Sequence, residues 1–109
     1  MFRAVIYVAI LSVYGAVPVA AADAKAEGEK VFATQKCALC HSVGAMGNKK
    51  GPLDGVGGKL SADEMREWIV DAKGMTVKTK AERKPAMKAY ALPKDEVDSL
   101  VAYLGTLKK

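Results

Sequence analysis

A chain of 109 residues leaves room for one compact domain and no second. Its formal charge of +5 is only mildly basic, and no aromatics are interleaved with arginines to stack bases, so the composition argues against nucleic acid as a partner. Two cysteines and one histidine allow at most one disulfide and fall one ligand short of a tetrahedral structural zinc site.

The chain begins Met1-Phe2-Arg3 and continues as an apolar run from Ala4 to Val19, closing on Ala20-Ala21-Ala22 before the polar Asp23. An early positive charge, an apolar core and small residues ahead of a cut are the layout of a secretory signal. A permanent anchor is the competing reading of so long a run, but Gly15 and Pro18 interrupt it and the small-residue triplet suits a peptidase. Residues 1–22 are therefore expected to be a cleavable signal peptide and residues 23–109 an exported domain. Its expected location is the periplasm, with no stable membrane insertion after cleavage. Loss of Arg3 with the leader leaves the remainder slightly less basic.

From Asp23 to Lys36 the residues are good helix formers, and Gly28, Val31, Phe32 and Gln35 fall on one stripe. After Ser42 the glycines at 44, 47, 51, 55, 57 and 58, with Pro52, predict a long loop without a periodic element. Ser61 and Glu64 form a capping-box signature, and Met65, Trp68, Ile69 and Ala72 continue an apolar face, which predicts a helix from Ala62 to Ala72 that Gly74 ends. The segment from Met75 to Leu92 carries Lys78, Lys80, Arg83, Lys84 and Lys88, and Pro85 breaks any long helix there. Pro93 then opens a last helix, with Asp95, Glu96 and Asp98 near its positive end and Val97, Leu100, Val101 and Leu104 on one face. Strand alternation is absent, so the class read from the pattern is all-α.

Cys37-Ala38-Leu39-Cys40-His41 has the form C-x-x-C-H, the spacing of a c-type haem attachment. Two thiols three apart on a helical turn reach the two vinyl groups of one porphyrin, and the adjacent imidazole reaches the iron. A thioredoxin-like dithiol would need a βαβ setting that the pattern lacks, and a plain disulfide leaves His41 unexplained. One covalently attached haem c is thus the expected cofactor, held by Cys37 and Cys40 and ligated by His41. It would also supply the large apolar body that so short a chain lacks.

His41 is the sole histidine, so a second ligand from this chain would be a thioether, which raises the reduction potential relative to a second imidazole. Met46 lies too soon after His41, and Met65 belongs to a packing stripe. Met87, in Lys84-Pro85-Ala86-Met87, is favoured, and Met75 is the alternative.

The chain resembles the class I c-type cytochromes, in particular the small bacterial monohaem members, over essentially all of residues 23–109. The resemblance implies a small cytochrome c fold, with three main helices and long loops around one covalent haem. Gly28 and Phe32 resemble the first-helix pair that packs on the last helix, here against Leu100 and Tyr103. Gly51-Pro52-Leu53 resembles the loop whose proline carbonyl accepts the proton of the proximal histidine, which would pair Pro52 with His41. Met87 matches the position of the distal methionine, although Lys88 follows it where proline is common. The implied role is a periplasmic electron carrier and not an enzyme, passing single electrons between redox proteins with acidic docking surfaces. Its lysines, among them Lys49, Lys50, Lys84 and Lys88, would steer such encounters. The alternatives are a cytochrome subunit of a periplasmic dehydrogenase complex, or a haem protein with a labile sixth ligand acting as a sensor or peroxidase.

Overall fold

The first and last helices among the described residues cross at a glycine, and the described residues between them are arranged around that crossing. The computed structural model describes residues 21–108, so the expected signal segment lies outside the described residues except for its last two. Helix α1 (Ala21–Thr34) is followed by a single 3₁₀ turn (Cys37–Leu39) and a two-residue ribbon, β1 (Ser42–Val43) against β2 (Met46–Gly47). Then come α2 (Val56–Lys59), α3 (Ala62–Val70), α4 (Ala72–Thr79) and α5 (Lys94–Gly105). No helix among the described residues is long and apolar enough to cross a membrane.

The stripe expected on α1 is the face that α5 covers. A methyl group on Gly28 would overlap the Ser99 carbonyl and Tyr103 Cβ, so the two backbones approach as closely as glycine permits. One turn further along, the Phe32 and Tyr103 rings meet edge to face at 5.8 Å and 72°, an arrangement favoured by the ring quadrupoles. Val31, Phe32, Met65, Ile69, Val97, Leu100, Val101, Tyr103 and Leu104 form the buried core that joins α1, α3 and α5.

Local chemistry sets the remaining boundaries. Ser61 Oγ accepts from Glu64 N at 3.1 Å while the Glu64 carboxylate accepts from Ser61 N at 3.0 Å, so the capping box starts α3 where the sequence places it. The helix stops sooner than predicted, at Val70, because the Asp71 side chain caps the next helix by accepting from Gly74 N at 3.3 Å. Gly74 therefore lies inside α4 rather than ending α3. A side chain there would collide with the Asp71 carboxylate. The loop after Ser42 also departs from expectation, holding the ribbon and the single turn of α2.

Replacing Gly28 by alanine should destabilise the protein despite alanine's better helix propensity. Forcing α1 off α5 costs about 2 kcal/mol, read as a fall of roughly 10 °C in Tm. Gly105→Ala, where an added Cβ meets nothing within 4 Å, should instead be neutral or stabilising by up to about 1 kcal/mol. Thermal unfolding of the two variants tests this opposition in sign.

Candidate functional site

The C-x-x-C-H motif is presented by a change of backbone direction. Helix α1 gives way at Lys36, which adopts the left-handed conformation (φ 57°) and feeds the 3₁₀ turn. Cys40 N and His41 N both bond to the Cys37 carbonyl, at 3.1 and 2.9 Å, which closes the turn and places all three residues on one small loop. Asn48 then ties the ribbon to this loop, its backbone N–H donating to the Ala38 and His41 carbonyls and its side chain to that of Leu39.

His41 Nδ1 lies 3.0 Å from the Gly51 carbonyl oxygen. A carbonyl can only accept, so Nδ1 carries the proton and Nε2 keeps its lone pair, the form of imidazole that ligates a metal. The carbonyl expected in this role was that of Pro52. The structure places Gly51's there instead, and the reason is the local pairing. Ser42 and Pro52 form a parallel bridge in which Ser42 N bonds to the Gly51 carbonyl at 3.1 Å and Leu53 N bonds to the Ser42 carbonyl at 2.8 Å. Successive carbonyls of an extended segment point to opposite sides, so it is Gly51's that faces residues 41 and 42. Burial lowers the His41 pKa from the ordinary imidazole value, the hydrogen bond to Gly51 opposes this, and the nearby Arg83 adds to the lowering, which favours the neutral ring. For Cys37, burial raises the thiol pKa, offset in part by a hydrogen bond from its own backbone; Cys40 adds to the rise and Lys88 opposes it.

These side chains share a cavity of about 550 Å³, within the roughly 300–1,000 Å³ usual for cofactor sites. Cys37, Cys40 and His41 line it on the side of the attachment turn. Its apolar walls come from the core side of the helices, including Phe32, Met65, Trp68, Ile69, Leu100 and Leu104, and from Leu53, Val56 and Leu60 of the glycine-rich segment. Met87 lines the same cavity, with its neighbours Pro85, Ala86 and Lys88. Met75 is buried in α4 (3 % exposed) and does not border it, and Met46 is exposed on the ribbon. Of the two methionines left open by the sequence, only Met87 is brought together with His41.

Arg83, in sequence one of several cations between Met75 and Leu92, also lines the cavity. Its guanidinium donates to the Cys40 carbonyl and packs against Gly51, where a Cβ would overlap it. No local sequence signal marks this contact, because its partners are 43 and 32 positions away along the chain.

The residues fit a covalently held haem. Two thiols and a neutral imidazole stand on one wall of a large apolar cavity, and a thioether stands on its lining. Among the described residues no cluster of three or more His, Cys, Asp and Glu gathers to hold a bare metal ion. No curated protein and no solved structure matches the chain. The family model described as Cytochrome c matches residues 25–108. That span takes in α1, the attachment turn, the cavity and α5, and the chain accordingly belongs to the cytochrome c family, haem-based electron-transfer proteins that bind haem c covalently.

Proposed function

We propose that this protein carries one haem c, bonded through Cys37 and Cys40 and ligated by His41 and Met87, and shuttles single electrons between redox proteins in the periplasm rather than catalysing a reaction. The observation that supports this reading is the placing of His41 and Met87 on one apolar cavity with both cysteines. Two protein ligands leave an iron no open position for a substrate, which favours carriage over catalysis.

When bound, the haem supplies a one-electron couple at an iron whose potential a thioether ligand raises. The chain's own residues do the rest. The Gly51 carbonyl fixes the tautomer and orientation of His41 and strengthens it as a donor. The apolar walls exclude water and lower the local dielectric, so the charge change accompanying electron transfer calls for little solvent rearrangement. Lys36, Lys49, Lys50, Lys84 and Lys88 are exposed on the segments that carry or adjoin the cavity wall, and they fit acidic partners met in brief encounters. The export half of the proposal rests on the layout of residues 1–22.

Substituting Cys37 and Cys40 together by serine should abolish haem staining of the polypeptide on a denaturing gel; staining that survives overturns thioether attachment. Met87→Ala should remove the far-red charge-transfer band of methionine-ligated ferric haem, lower the reduction potential and admit carbon monoxide to the reduced protein. Met75→Ala should leave the band in place, and the reverse pattern would move the ligand to Met75. Electron transfer to an acidic redox protein should slow by roughly tenfold or more between about 0.01 M and about 0.15 M ionic strength, because a shorter Debye length removes the steering. A rate indifferent to salt would show the lysines to be mere surface.

A further inference from the structure

The segment that carries Met87 is held differently from the rest of the chain. Residues 82–89 form no backbone hydrogen bond with any described residue. Ala81 N donates to the Thr76 carbonyl at 3.1 Å on one side of this stretch, and Tyr90 N donates to the Ile69 carbonyl at 2.8 Å on the other. Between those two ties, the hydrogen bond made to another described residue is that of Arg83, to the carbonyl of Cys40.

The Arg83 side chain therefore ties the segment that carries Met87 to the attachment turn. At one end it is four residues from Met87 in the chain. At the other it reaches the last carbonyl of the attachment turn, next to His41, and lies against Gly51, whose carbonyl accepts from His41. The ion pairs among the described residues are made by Lys30, Arg66 and Lys94, so this guanidinium is committed to a backbone carbonyl and not to a carboxylate. Gly51 is what lets it approach, since any side chain there would occupy the place of the guanidinium.

We infer that Arg83 is a positioning residue that latches the Met87 segment onto the haem-attachment turn and so keeps the sixth ligand in place. The inference rests on Met87 being that ligand. A latch of this kind acts on the competition between Met87 and any outside ligand, because an incoming ligand meets an iron accessible only in the fraction of molecules whose Met87 segment has swung away. A charge-assisted hydrogen bond at an exposed site shifts such an equilibrium by a few-fold to about tenfold.

The test uses the haem-loaded, oxidised protein and free imidazole as the competing ligand. Arg83→Gln should bind imidazole about three- to tenfold more tightly than the wild type while keeping the methionine band in its absence. Arg66→Gln, which removes a half-buried arginine that joins α3 to α5 through Asp98 at 2.7 Å, should leave imidazole affinity unchanged and so separates latching from general loosening. Imidazole affinity within twofold of the wild type in Arg83→Gln, or an equal rise in Arg66→Gln, overturns the latch alone. A wild-type protein without the methionine band overturns the ligand assignment, and the latch with it.

Discussion

The whole fold answers to one constraint: a chain of this length must close around an apolar cavity of about 550 Å³ instead of around side chains alone. Its own buried core is a thin layer joining α1, α3 and α5. The frame that holds the layer open is the crossing of α1 and α5 at Gly28, where both helices are already at backbone contact. With that distance fixed, Phe32, Leu100 and Leu104 serve two surfaces, packing in the core and facing the cavity. Stability and cofactor capacity are thus properties of the same side chains.

The polar side of the site is economical in a similar way. Ser42 is 2 % exposed, and burial of so short a stretch of backbone is tolerable only if its N–H and C=O are paired. The bridge to residues 51–53 pairs both. The Gly51 carbonyl, with two lone pairs, accepts from Ser42 N and from His41 Nδ1 at once. Orientation of the imidazole is thereby a by-product of satisfying the backbone, which makes the ligand's geometry as rigid as the loop that supports it.

What could be read from the sequence follows from how local each signal is. The C-x-x-C-H turn, the capping box of Ser61 and Glu64, and the last helix after Pro93 are complete within a few residues, and each stands where the sequence puts it. The facing of Gly28 and Phe32 on Tyr103 was legible through resemblance, because it joins distant segments. The break at Asp71 was not, since Met65, Trp68, Ile69 and Ala72 continue one stripe straight through the residue whose side chain ends one helix by starting another. Which carbonyl of Gly51-Pro52 faces His41 depends on the register with Ser42, which no short motif encodes. Arg83 was invisible for a third reason: in sequence it is one cation among many, and only the fold brings it to Cys40.

The two walls of the cavity differ in kind. The wall that carries His41 is stitched by backbone bonds from Cys37, Asn48, Gly51 and Leu53, so moving the imidazole means breaking several of them together. The wall that carries Met87 is an irregular stretch whose backbone, among the described residues, is tied at its ends, with an arginine in between. Cooperative networks resist local opening, whereas sparsely bonded segments open at low free energy. On the proposed reading, an electron carrier needs His41 and Met87 both to stay put through a change of charge, and with a dense hydrogen-bond web around His41, that requirement falls on the segment of Met87. It is there that a single side chain from the segment of Met87 bonds to the attachment turn, borrowing from that turn the order its own backbone lacks.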